Sequence, residues 1–172
     1  MGLAPTTSTT ATMAMGDALA VALLEVRGFS AEDFRTLHPG GSLGRRVLLV
    51  QDILHTDAPL VSRQTTMGEA LVQMTAKSFG CIGVVEPGGQ LCGIVTDGDL
   101  RRHMGGNLLD RPVEAIMTAN PRIIRPRALA AEALGVMNEH NITSLFVVDP
   151  DDPASKPAGI VHVHDCLRAG LT

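Results

Sequence analysis

From Val50 onward, the apolar and polar positions of this chain follow one pattern written twice. Val50-Gln-Asp-Ile-Leu54 returns as Val113-Glu-Ala-Ile-Met117, and Gly83-Val-Val-Glu86 returns as Phe146-Val-Val-Asp149. Gly93-Ile-Val-Thr-Asp-Gly-Asp99 returns as Gly159-Ile-Val-His-Val-His-Asp165. A unit of roughly 60 residues is too long for most solenoid repeats and suits a duplicated small domain.

Each unit reads in the same order. A short β stretch (Leu60-Val61; Arg122-Ile-Ile124) precedes an amphipathic helix, Met67 to Lys77 and then Leu129 to His140. Two strands follow, Ile82 to Val85 with Gly93 to Val95, and Leu145 to Val148 with Gly159 to Val161. Their turns, Glu86-Pro-Gly-Gly and Asp149-Pro-Asp-Asp-Pro, carry strong breakers. A closing helix starts near Asp99 and near Asp165. The order β-α-β-β-α, twice, predicts an α+β fold of two small sheets packed through their helices.

Residues 1–46 differ. The hydroxyl cluster Thr6-Thr-Ser-Thr-Thr10 leads into a predicted helix over Ala11 to Arg27, with Met15, Leu19, Ala22, Leu23 and Val26 at helical spacing. Gly28 is its expected stop, and Ser30-Ala-Glu-Asp33 has the form of a capping box. His38-Pro-Gly-Gly-Ser-Leu-Gly44 is a glycine-rich loop. One helix and such loops cannot bury a core alone, so this segment reads as the end of a larger domain.

Composition narrows the function. With no Trp or Tyr and four Phe, the core is aliphatic, and platforms for stacking bases are few. No basic stripe interleaves with aromatics, which argues against nucleic acid as a partner. Cys81, Cys92 and Cys166 show no CxxC spacing and read as small buried hydrophobes, with no metal site expected. No apolar run is expected to approach the length of a membrane span, so the expectation is no membrane partner and a cytoplasmic setting.

The duplicated pattern resembles a tandem pair of CBS domains (a Bateman module). The marker is glycine, two hydrophobic residues, Thr or Ser, two variable residues and Asp, matched in full by Gly93 to Asp99. The resemblance implies that Thr96 and Asp99 bind the ribose hydroxyls of a nucleotide; a carboxylate accepts two hydrogen bonds from a cis-diol, and such charge-assisted bonds are strong. Helix capping is the structural role open to Asp99, and both can hold together. In the second unit His162 replaces the hydroxyl residue, while His164 and Asp165 follow. That site is either vacant or reads another group, such as an anion. Arg101, Arg102, His103 and Arg168 follow the two aspartates, and Arg122, Arg125 and Arg127 frame the strand-to-helix connection of the second unit. These basic groups are candidates for phosphate or carboxylate recognition, each weighed against a plain solvated side chain.

The first 46 residues, with Leu3-Ala-Pro-Thr-Thr, Met15-Gly-Asp-Ala-Leu-Ala and His38-Pro-Gly-Gly-Ser-Leu-Gly-Arg45, resemble the closing part of a sugar isomerase (SIS) domain. With His164-Asp-Cys-Leu-Arg-Ala-Gly170 at the other end, the whole chain is similar to the C-terminal half of the D-arabinose 5-phosphate isomerases. The implied domains are a remnant of an α/β SIS domain over 1–46, one CBS domain over 47–109 and a second over 110–172. The implied parent enzyme interconverts D-ribulose 5-phosphate and D-arabinose 5-phosphate at the head of the Kdo branch of lipopolysaccharide synthesis.

In that family the loop histidine, here His38, belongs to the active site. Its lysine and glutamate partners would lie upstream, so this chain alone is expected to be inactive, and Met1 is expected to mark a shortened form. No cofactor is required by the resemblance. The implied partner is a nucleotide or sugar-nucleotide effector, CMP-Kdo or an adenine nucleotide; purely structural repeats are the competing reading. Helix packing implies a homodimer of the chain and a tetramer of the intact enzyme.

Overall fold

The structure, a computed structural model, describes residues 6–30, 33–34, 37, 47–152 and 156–171. The chain divides into two compact units, Met1–Gly44 and Arg45–Thr172.

In the first unit, helix α1 runs from Thr6 to Val26. It starts five residues earlier than the pattern predicts, because Thr and Ser can serve inside a helix when their hydroxyls bond back to the preceding turn. The Thr10 hydroxyl donates to the Thr6 carbonyl at 3.0 Å. Gly28 ends the helix at φ 63°, a left-handed position that glycine adopts at little cost. The predicted capping box is present: the Asp33 carboxylate accepts from the amide and hydroxyl of Ser30, at 2.8 and 2.6 Å. No α1 residue is buried. The expectation of no span-length apolar run does not hold. The 21 residues of α1 are long and apolar enough to cross a membrane by length and composition, as a core helix also can be. Asp17 and Glu25 are its only charges, and the interspersed hydroxyl residues disguised the run.

The second unit holds two sheets. In the first, β1 (Leu60–Ser62) pairs in parallel with β2 (Cys81–Val85), and β3 (Leu91–Thr96) joins β2 antiparallel. Helix α2 (Met67–Lys77) connects β1 to β2, and α3 (Asp97–Arg102) follows β3. A short strand β4 (Thr118–Ala119) closes that sheet against β3. The second sheet repeats the plan with β5 (Ile123–Ile124), α4 (Ala130–His140), β6 (Ser144–Val148), β7 (Pro157–His162) and α5 (Val163–Arg168). The predicted β-α-β-β-α order holds in both halves.

Local chemistry explains the elements. Thr66 and Glu69 form a reciprocal capping box that opens α2. Both connecting helices end on a left-handed residue, Ser78 at φ 57° and Asn141 at φ 53°, and asparagine is one of the few non-glycine types that adopt this conformation readily. Met67, Ala70 and Met74 face Val61, Ile82, Val84 and Val95 in one core. Ala130, Ala133, Leu134 and Met137 face Ile124, Leu145, Val147 and Val161 in the other.

The sheets do not pack through their helices as the sequence suggested. Alternate residues of β2 and β6 point the other way and meet directly: Cys81, Phe146, Val148 and Ile160 form a third core with Leu60, Leu91 and Ile94 beside it. Strands apolar on both faces are covered on both faces, by helices outside and by the opposite sheet within. A Cβ on Gly83 would stand 2.7 Å from the Phe146 ring, so glycine in one repeat makes room for phenylalanine at the matching position of the other. Burial pushes the Cys81 thiol up to about 11, which leaves it an unreactive part of this core.

Each repeat also lends its first turn to the other. The 3-10 turn Val50–Asp52 precedes repeat one, yet Val50 lies in the core of repeat two, held by Val50 N–H to the Ala128 carbonyl at 2.9 Å. The turn Val113–Ala115 precedes repeat two, yet Val113 lies in the core of repeat one, its N–H bonded to the Thr65 carbonyl at 2.9 Å. The segments that follow cross the closing strands. Ala119 pairs with Gly93, and His55 bridges to Ile160. Both crossings need glycine below them, because a Cβ on Gly93 would meet the Met117 sulfur and one on Gly159 the His55 carbonyl oxygen.

Candidate ligand cleft and the two carboxylates

In repeat one, Thr96 caps α3 and Asp99 answers it. The Asp99 Oδ2 accepts from the Thr96 amide at 2.8 Å and the Thr96 hydroxyl at 2.6 Å. Its Oδ1 accepts from the Arg102 guanidinium and, at 3.3 Å, from the Thr118 hydroxyl that β4 carries in. Only 3% of Asp99 is exposed. Burial by itself would raise this carboxyl, but the Thr96 hydroxyl and amide and the Arg102 charge outweigh it and hold the group below the ordinary carboxylate value.

Asp165 takes the matching place in repeat two with fewer partners. Its Oδ2 accepts from the His162 amide at 3.0 Å, and its Oδ1 lies 3.0 Å from His55 Nε2 and 3.8 Å from the Arg168 guanidinium. His162 supplies no hydroxyl; its Nδ1 instead accepts from the His164 amide at 3.2 Å. Burial first, then the neighbouring His164, lowers the His162 pKa, with Asp165 opposing.

A cleft of about 470 Å³ opens beside His162 and His164. Leu71, Met74 and Thr75 of α2, its capping Ser78, and Phe79 and Gly80 form one wall. Asp97, Thr143, His162 and His164 complete it. Phe79 is fixed at both ends. Its carbonyl accepts from the buried Ser144 hydroxyl at 3.2 Å, and its ring sits edge-on to His55 at 5.2 Å and 6.4 Å from His162. The volume falls within the roughly 300–1,000 Å³ of small-ligand sites.

The residues singled out by sequence therefore separate. Thr96, Asp99 and Arg102 come together in one hydrogen-bonded group, and His162, His164 and Asp165 in another. Of the nine ligand-site candidates, His162 and His164 line the cleft. Arg101, Arg122 and Arg125 are exposed and lie outside its lining, and His38 falls outside the described residues. Among the described residues no group of three or more His, Cys, Asp or Glu could hold a metal ion. Sequence reasoning missed His55 and Thr118, which support the two carboxylates, and Phe79, Asp97 and Thr143 in the cleft. The repeat carried a signal for the first pair: each residue directly follows the recurring Val50–Leu54 or Val113–Met117 unit.

Comparison with known proteins agrees with this architecture. The CBS domain family matches residues 50–106 and 113–172. The chain is 48% identical to the arabinose 5-phosphate isomerase KdsD of Salmonella typhi, over 99% of its own length and 52% of that protein. It is also 48% identical to KdsD of Pseudomonas aeruginosa, over 99% of this chain and 53% of the relative. The chain thus spans about half the length of these relatives. Among solved structures, it superposes on the CBS domain pair of protein MJ0100 in complex with 5'-methylthioadenosine and S-adenosyl-L-methionine. The TM-score is 0.62 and the identity 25%, covering 71% of this chain and 94% of the other.

Proposed function

Because this chain belongs to the CBS domain family, we propose that it is the regulatory CBS pair of an arabinose 5-phosphate isomerase and binds a nucleotide-type effector. The observation that carries the reading is the 48% identity to KdsD proteins, which runs through residues 1–46 as well as the repeats. On this reading the first 46 residues close a SIS domain that converts D-ribulose 5-phosphate to D-arabinose 5-phosphate in the cytoplasm.

CMP-Kdo, the activated sugar to which the Kdo pathway leads, is the favoured effector. The cleft beside His162 has the volume of a small-ligand site, and the exposed Arg101, Arg122 and Arg125 carry the sign of charge that its acid groups would seek. The adenosine-type ligands in the CBS pair of MJ0100 support an adenine nucleotide as the second reading. If Asp99 contacts a ribose, the sugar hydroxyls must replace those of Thr96 or Thr118, since its present acceptors are engaged. The pair also serves as the contact of a homodimer, within a tetramer of the intact enzyme.

Thermal unfolding in the presence of CMP-Kdo, CMP, AMP and ATP tests the proposal. A ligand that binds the folded state alone adds about 2.7 kcal/mol at one hundred times its dissociation constant, so one nucleotide should raise the midpoint saturably. No response to any of the four would leave a structural dimerisation module.

A further inference from the structure

Residues 48–55 are seated on repeat two, although they lead into repeat one and their other end continues to the unit Met1–Gly44. Ala130 N–H donates to the Leu48 carbonyl at 2.8 Å. The Val50 and Gln51 amides donate to the Ala128 and Pro126 carbonyls, both at 2.9 Å. His55 and Ile160 exchange one bond in each direction, at 2.8 and 2.9 Å. A side chain closes the seat at this end, with His55 Nε2 standing 3.0 Å from Asp165 Oδ1.

The matching segment before repeat two is held more firmly. It buries both Val113 and Ile116, whereas the earlier segment buries Val50 and leaves Ile53, at the place of Ile116, half-buried. It also ends in two strand pairs, Ala119 with Gly93 and Thr118 with Ile94, against the single bridge at His55. The Asp165 side chain is 10% exposed but that of His55 is 45% exposed, so water competes for this ion pair. Few buried apolar contacts and bonds within reach of solvent mark segments that open locally, without global unfolding. Such an opening has a stop. Pro59 is buried and its carbonyl accepts from the Gly83 amide at 2.9 Å, which leaves β1 and repeat one in place.

We propose that residues 48–55 form a strap that opens from repeat two while both repeats stay folded, and that the His55–Asp165 pair sets how often it opens. A two-state element couples whatever biases its two ends. Here one end answers to the Asp165 carboxylate and the other to the chain arriving from residues 1–44. Repeat two is therefore the half through which a change passes to that chain, and repeat one is not. The strap works in this way with or without a bound effector, so it stands apart from the sensor reading.

Amide hydrogen exchange of the whole chain, read by NMR and corrected for intrinsic rates, tests the strap. The Val50, Gln51 and Ile160 amides should exchange together, about tenfold or more faster than those of Val113 and Gly83. His55→Ala should speed the first group about fivefold, the effect of an ion pair open to water, and leave Val113 and Gly83 within about twofold. His55→Gln, which keeps a donor near Asp165, should fall between His55→Ala and wild type. Thr118→Ala removes the matching tie to Asp99 and should spare Val50. If Val50 exchanges no faster than Gly83 in the wild type, the strap opens only with the whole fold and the inference fails. It fails equally if His55→Ala speeds all five amides alike, or leaves Val50 unchanged.

Discussion

Asp99 and Asp165 hold the same place in two copies of one unit, and they are not equally committed. Asp99 is held by two hydroxyls, an amide and a guanidinium, whereas Asp165 has an amide, an imidazole and a more distant guanidinium. The repeat that matches the family marker in full is thus the one whose carboxylate is most engaged by its own protein. The departing residue, His162, lines a cleft that residues of both repeats form. A matching motif records the local turn as much as the ligand, because Thr-x-x-Asp is also a helix cap.

The packing contrast between the repeats gives the largest expected effect. Phe146→Ala empties the space that Gly83 leaves open and should cost about 3–5 kcal/mol by denaturant unfolding, the usual price of truncating a fully buried phenylalanine. A loss below about 1 kcal/mol would mean that the two sheets are not locked by this ring.

Replacing the carboxylates comes next. Asp99→Asn should destabilise by about 1–3 kcal/mol more than Asp165→Asn, since it leaves buried donors partly unmatched. Equal losses in the two variants would erase the distinction drawn between the repeats. The pH dependence carries a sign: the Asp99 pKa is lowered by folding, so its contribution is complete above the ordinary carboxylate value and is lost as pH falls through the lower folded value. Wild-type stability should therefore drop in that acid range, and the drop should shrink in Asp99→Asn.

The smallest change restores the hydroxyl in repeat two. His162→Thr lets a side chain donate to Asp165 as Thr96 does to Asp99, for a gain of about 0.5–1 kcal/mol. Because the folded His162 pKa is also lowered, wild-type stability is complete above the ordinary imidazole value and declines as pH falls through the folded one. Unfolding curves collected down through that range should lose this step in His162→Thr; a step that persists belongs to another histidine.

Much of the fold was legible because it is local. The α2 span, set by Thr66 and Glu69 at one end and the Lys77–Ser78 boundary at the other, follows from capping and periodicity alone. The sheet-to-sheet packing was not legible. Cys81, Phe146 and Val148 read as apolar in any environment, and only the tertiary arrangement shows which face each occupies. The site was half legible for a related reason. His162 stood out because it broke a repeat, but Phe79 and Thr143 have no motif and reach the cleft through contacts between repeats. Thr6 to Thr10 misled in the other direction, because a hydroxyl cluster reads as the lead-in to a helix, whereas here the helix already runs through it and the Thr10 hydroxyl bonds back to Thr6.

The traded turns at Val50 and Val113 have a consequence for the chain's continuity. The link between the repeats passes through an exposed corner where Gly105 and Gly106 both adopt positive φ. A protease that cuts there severs one backbone bond without freeing either half, because each fragment still carries a piece of its neighbour's interior. The nicked protein should behave as a two-fragment complex that reassembles from its parts, with neither part folding alone. Covalent continuity at this corner then matters for the speed of assembly, and the mutual exchange of turns holds the finished pair together.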